Sequence, residues 1–178
     1  MNKEKAILFL KNHQPMPEDS KLDEQTIEMY DEVRKFFMEN PDIECLPLFL
    51  NSFGEYDGNG VYQLVEDIII KFEHEEVVSC LSEALKSSYS GVKYWCAQIC
   101  SLFPDRKLIK SLEKLLTEDS DDIRIAALTS LSIINDSKIL TILKNHYEEE
   151  PNEEVKEFLW GPMINERFGV GSAWQNEL

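Results

Sequence analysis

The stretch 55-EYDGNGVYQLVE-66 sets Glu55, Asp57, Asn59 and a final Glu66 around the turn glycine Gly60. Oxygen ligands at alternate positions, a glycine for the sharp turn and a carboxylate at the twelfth place are the chemistry of an EF-hand calcium loop. Two residues oppose it. Glu55 stands where such a loop uses Asp, and adds a methylene to a tight cage. Tyr62 stands where an Ile or Val would pair with a partner loop, and the chain has no second loop of this kind.

Other chemistry finds less support. His13, His74 and His146 are scattered, and HEEVV at 74 is not the H-E-x-x-H of a zinc protease. There is no G-x-S-x-G, no phosphate-cradling P-loop and no local Cys–His signature, so no catalytic residue and no cofactor is expected. Cys45, Cys80, Cys96 and Cys100 lie among Leu, Val and Ile without a C-x-x-C pair. They read as buried, reduced thiols of a cytoplasmic protein. Cys96 and Cys100 share a helix face at i, i+4, which is half a metal site; core packing is the simpler account, and no metal is expected.

Charge narrows the partners. With 34 acidic against 18 basic side chains the formal charge is −16, which repels phosphate backbones and steers basic proteins toward the chain. Neither nucleic acid nor membrane is expected as a partner. The one apolar run near the start, Ala6 to Leu10, is too short for a signal peptide, and no run is long enough to span a bilayer.

The elements that carry these residues emerge from a repeat. An offset of 31 superimposes Leu46, Val77, Leu108 and Ile139, then Leu50, Leu81, Leu112 and Leu143. It also aligns Val61, Val92 and Ile123; Leu64, Trp95 and Ala126; Ile68 and Ile99; and Phe72, Phe103 and Ile134. One extra residue brings Val155 and Phe158 into step. Three- and four-residue spacing within each unit describes two helices, A and B, joined by a polar turn: GEYDGN, KSSYS, TEDSD and EEEPN. Pro47 is expected to bend the first A helix. This repeat also bears on calcium, because Val61 belongs to the packed face of a B helix that starts near Gly60, inside the would-be ligand loop.

The expected architecture is one all-α domain of about ten helices in a single-handed stack: a helical cap over 1–40, four helix-pair repeats over 41–167, and a tail over 168–178 with Trp174 against the last helix.

The segment 119-DSDDIRIAALTSLSIINDSKILTILKN-145 resembles a HEAT-like repeat, with its acidic turn, I-R-x-A-A and Asp turn; 91-GVKYWCAQICSLFPDRKLIKSLEKLL-116 resembles it less closely, with Lys93 in the column of Arg124. The resemblance implies a right-handed α-α superhelix. LNSFGEYDGNGVYQLVED followed by GVKYWCAQI is similar to small acidic bacterial immunity proteins, which neutralise a secreted toxin encoded beside them. That likeness implies a non-catalytic role: occlusion of a basic toxin, with a nuclease as the expected kind. An adaptor or assembly chaperone is the alternative binding class, and a bilin-lyase-like enzyme is the alternative in catalysis. DNA glycosylases share the fold but need a basic groove.

In such a stack the A-to-B turns project along one edge, so Glu55, Asp57, Asp119, Asp121, Asp122, Glu149 and Glu150 are expected to form an acidic rim for a basic protein. Solvated, dipole-favouring acids are the plainer account of the same residues. On the B helices Tyr62, Glu66 and Tyr94 are expected off the packed face, with Tyr56 in the adjoining turn, as contact residues. Trp95 is read as core, and Arg124 as a ladder to acidic turn residues. Oligomeric state is left open.

Overall fold

The apolar columns dictate where the helices pack. In a computed structural model that describes residues 1–161, the A columns Leu46, Val77, Leu108 and Ile139, and Leu50, Leu81, Leu112 and Leu143, are all fully buried. Ten α-helices and no strand occur among the described residues. They are α1 (Lys3–Asn12), α2 (Glu24–Glu39), α3 (Cys45–Leu50), α4 (Glu66–Ile69), α5 (His74–Ala84), α6 (Ser90–Cys100), α7 (Ile109–Leu115), α8 (Asp121–Ile133), α9 (Ile139–Glu149) and α10 (Glu153–Phe158). Helices α3, α5, α7 and α9 are the A helices of the four repeats. The expected tail and Trp174 lie outside the described residues.

Local signals start the helices where the sequence places them. Asn2 caps α1 by accepting from Lys5 N at 2.9 Å, and Asp23 caps α2 by accepting from Thr26 N at 2.7 Å. Glu73 and Glu76 form a capping box at α5, Ser120 caps α8, and Asn152 caps α10. Pro47 does not bend a longer helix. It is the third residue of the six-residue α3, within the first turn, where its missing N–H is not called on.

The chain divides into two compact units, Met1–Phe103 and a second that begins at Pro104. In the first, α3 packs on α1, α5 and α6, α5 packs on α6, and α2 packs on α1 and α4. Its core is aromatic in the middle: Tyr30, Phe37, Phe49, Phe53 and Tyr62 are all fully buried. In the second, α8 lies between α7 and α9, with Leu112, Ala127, Leu128, Leu131 and Leu143 at its centre.

The four thiols are unpaired, three of them buried, and Cys96 donates to the Leu50 carbonyl at 3.3 Å. Burial pushes the Cys45 thiol up to about 12 and the Cys96 and Cys100 thiols higher still. These are packing groups, and none is prepared to act as a thiolate. No helix among the described residues is long and apolar enough to cross a membrane.

One column departs from the periodicity. Leu64, aligned with the buried Ala126, is 38 % exposed, whereas its neighbour Tyr62 is fully buried. The cause is local winding: residues Tyr62–Val65 form a 3-10 turn before α4. Three residues per turn put Tyr62 and Val65 on one line, which the buried Ile68 of α4 continues, and rotate Leu64 outward. Leu81→Ala should therefore lower stability by about 2–5 kcal/mol in urea denaturation, while Leu64→Ala should stay within about 0.5 kcal/mol. Equal losses would restore the regular helix face.

Candidate functional site

The turn that resembles a calcium loop is built around a tyrosine ring. Gly58, Asn59 and Gly60 take φ of 59°, 54° and 86°, three consecutive left-handed residues that reverse the chain in a short space. Gly60 N donates to Asp57 O at 3.1 Å and Val61 N to Gly58 O at 3.3 Å. The reversal slides Tyr62 beneath the turn, where its ring meets Tyr30, Phe53 and Trp95 edge-on at 5.8, 5.6 and 5.9 Å between centroids. A Cβ on Gly58 would lie 2.7 Å from that ring, and one on Gly54 2.7 Å from its hydroxyl. Tyr62, expected as an exposed contact, is thus a core residue that fixes the turn. Among the described residues no group of three or more His, Cys, Asp or Glu side chains is placed to hold a metal ion.

A second close approach locks the turn to the next repeat. A Cβ on Gly91, in the first turn of α6, would lie 1.6 Å from the Gly54 carbonyl oxygen. Backbone therefore meets backbone here. Trp95, four residues further along α6, stacks on Phe53 at 5.7 Å and donates from Nε1 to the Tyr56 carbonyl at 2.8 Å. Half-buried, it is both core and surface. Tyr94 stands edge-on to it at 5.5 Å, its hydroxyl accepting from Gln98 Nε2 at 3.0 Å.

What the first unit presents to solvent is consequently mixed, aromatic and acidic. Tyr56 is 64 % exposed, Glu55 and Asp57 are exposed beside it, and Tyr94 and Glu66 are half-buried. Burial, helped by the nearby Asp67 charge, raises the Glu66 carboxyl above its ordinary range. Tyr89, which opens α6, is 52 % exposed and edges a cavity of about 330 Å³ together with Glu18, Glu55 and Gly91. Sequence reasoning passed over Tyr89 and the exposed side of Trp95. The signal for the first was an aromatic residue in the otherwise polar turn KSSYS.

The acidic turns of the second unit are organised by one arginine. Arg124, on α8, is 4 % exposed, and all its N–H groups are engaged. Nε and Nη2 reach the two oxygens of Glu150 at 2.9 and 2.6 Å; Nη2 also reaches Asp121 Oδ1 at 2.5 Å. Nη1 donates to the carbonyls of Glu118 and Asp119 at 2.9 and 3.1 Å. This is the expected ladder, from the turn of one repeat to the start of the next. Asn152 completes it by donating to Asp121 Oδ2 while its N–H reaches Glu150. Glu150 is a correction: expected on the rim, it is 1 % exposed. Asp119, Asp122 and Glu149 are exposed as expected, and Asp121 is half-buried.

Burial acts to raise the Glu150 carboxyl, but hydrogen bonds from Arg124 and Asn152 outweigh it and hold it below the usual range. His146, 2.8 Å from Glu150, is pushed down by burial against the pull of that carboxylate. The signs agree. A lowered carboxylate contributes stability above its unfolded value of 4.5 that is lost as pH falls below it; a lowered histidine likewise loses stability below 6.5. Removing Arg124 strands a buried carboxylate, so Arg124→Gln should cost about 3–5 kcal/mol near neutral pH. In the same variant the loss between pH 7 and pH 4 should be shallower, as followed by urea denaturation. A parallel pH profile would contradict the network.

Residues 78–159 match the family model of HEAT repeats, a span from within α5 to just past α10. It holds Tyr94, Asp119, Asp121 and Asp122; Glu55, Tyr56, Asp57 and Glu66 precede it. No curated protein and no solved structure matches the chain. Together with the helices described above, the match gives the fold class as an all-α, HEAT-like solenoid. HEAT repeats generally mediate contacts between proteins.

Proposed function

We propose that the chain is a non-catalytic, protein-binding solenoid whose partner is a basic protein. The observation that carries the reading is the surface: a charge of −16 with exposed carboxylates at the turns, beside aromatic side chains held rigid by packing. Rigid aromatics make interface anchors at small entropic cost, and carboxylates around them raise the encounter rate with a cation-rich partner. In the first unit Tyr94 and Trp95 are the packed anchors, with Tyr56 exposed beside them and Glu55 and Asp57 supplying charge; in the second unit Asp119 and Asp122 are the exposed carboxylates.

Within that class the function is that of an immunity protein, acting in the cytoplasm on a cognate toxin, with a nuclease as the expected kind. Support for this finer step is the resemblance of LNSFGEYDGNGVYQLVED and GVKYWCAQI to such proteins, together with the acidity a nuclease's basic cleft would select. Mechanism is occlusion: the solenoid covers the cleft and excludes nucleic acid, and no bond is made or broken.

A neighbouring gene is expected to encode a protein with a small basic domain, and that domain is the probe for the test. Its association rate, measured by stopped flow, should fall at least about ten-fold between about 50 and about 300 mM NaCl. A rate independent of salt contradicts the electrostatic reading; failure to bind contradicts the partner.

A further inference from the structure

The groove beside Tyr89 is built from three segments of the first unit: the loop after α1 at 15–18, the turn at 53–55 and the start of α6 at 88–91. Its volume is about 330 Å³, within the range of small-ligand sites. The walls are tied to one another. Met16 N donates to the Ser52 carbonyl at 2.9 Å, and Gln14 Nε2 donates to the Leu48 carbonyl at 2.9 Å, which fastens the loop beside the turn. The Gly54 carbonyl meets Gly91 too closely for any Cβ, which fastens the turn to α6.

The chemistry of the groove is aromatic as well as acidic. Tyr89 is 52 % exposed, and among the described residues its ring meets no other ring and its hydroxyl makes no hydrogen bond. Packing within the chain does not account for an aromatic residue at that place. Glu55 is exposed on the turn and makes no ion pair among the described residues. Glu18 pairs with Lys21 at 3.0 Å, but both are exposed, so that pair is weak and readily exchanged. Among the described residues no lysine, arginine or histidine lines the groove. The N-terminus of α6 contributes roughly half a positive charge, and the two carboxylates outweigh it.

These features select the occupant. An anion is repelled by Glu18 and Glu55, and a neutral apolar chain would desolvate carboxylates without meeting them. A metal ion finds no group of three or more His, Cys, Asp or Glu placed to hold it among the described residues. A guanidinium answers both the ring and the charge. It is flat and stacks on a tyrosine face, and its fork of donors bonds a carboxylate through two parallel hydrogen bonds. Its aliphatic stem suits the half-buried Pro15 in the lining. The ammonium of a lysine carries the charge but has neither the flat face nor the fork.

We propose that this groove receives an arginine side chain of the basic partner, its guanidinium stacked on Tyr89 and bonded to Glu55, with Glu18 adding charge. The inference rests on the reading of the chain as a binder of basic protein. It names the place, and the residue type, by which the first unit holds that partner.

The test needs no partner. N-acetyl-arginine methylamide is titrated into the full-length chain and amide chemical shifts are followed, with N-acetyl-leucine methylamide and NaCl at matched ionic strength as controls. The amides of Met16, Glu18, Gly54, Glu55, Tyr89 and Ser90 should shift along one saturating curve with a dissociation constant of the order of millimolar, as one side chain allows. N-acetyl-lysine methylamide should bind at least about three-fold more weakly. Tyr89→Leu and, separately, the isosteric Glu55→Gln each replace an exposed side chain, and each should weaken arginine binding at least about three-fold. Shifts no larger than those from NaCl, equal affinity for arginine and lysine, or saturation unchanged in both variants would overturn the proposal. None of these results touches the salt dependence of partner association, which stands on its own measurement, so the two failures are distinguishable.

Discussion

A pair of short helices has one apolar stripe and nothing of its own to cover it, and that constraint organises this chain. The column Leu50, Leu81, Leu112, Leu143 recurs at each repeat because each A helix must be closed over by its neighbours, and all four are fully buried. Once helix faces are committed to packing, the turns between them are driven to the surface. They take up acidic residues freely because water and helix N-termini both tolerate negative charge there. Among the described residues the acidic side chains stand almost wholly at positions the repeat leaves solvated. Glu150 is the exception, and it is buried only because Arg124 is buried with it.

The same constraint explains the glycines. Stacking the first repeat on the second brings the Gly54 carbonyl into the first turn of α6 at a distance no Cβ would permit, and Gly91 stands there. Tyr62 then fills the space beneath the 54–60 turn, and Gly54 and Gly58 are the residues that make room for its hydroxyl and ring. A turn that looks designed to offer oxygen to a cation is, in its backbone, designed to admit an aromatic ring. Its carboxylates are by-products of that shape, turned outward and left available for a partner.

Much of this was legible in the sequence, and the failures have physical causes. The helix pairs and their caps could be read because burial imposes a period and orphan N–H groups demand Asn, Asp and Ser. The exchange of Tyr62 for Leu64 in the core could not. Both are apolar enough for the face, and only the 3-10 winding of residues Tyr62–Val65 decides which points inward. Arg124 was readable as a ladder residue from its place beside an acidic turn. That Glu150, among the run 148-EEEPNEE-154, is its partner was not, since the pairing spans 26 residues and five identical side chains compete for it. Tyr56 is exposed and Tyr94 half-buried, and Trp95 joins them because it is half-buried despite its stacking on Phe53.

The central claim is that the exposed turn carboxylates are what a basic partner engages. Its most direct test is the quadruple variant Glu55→Gln, Asp57→Asn, Asp119→Asn, Asp122→Asn, compared with the parent chain for affinity toward a basic toxin domain expected from a neighbouring gene. The affinity should fall at least about a hundred-fold, since charge pairs at interfaces are individually worth a fold-change of several. The melting temperature should be unchanged, because none of the four side chains is buried. Affinity within about two-fold of the parent, in a variant shown to be folded, would contradict it.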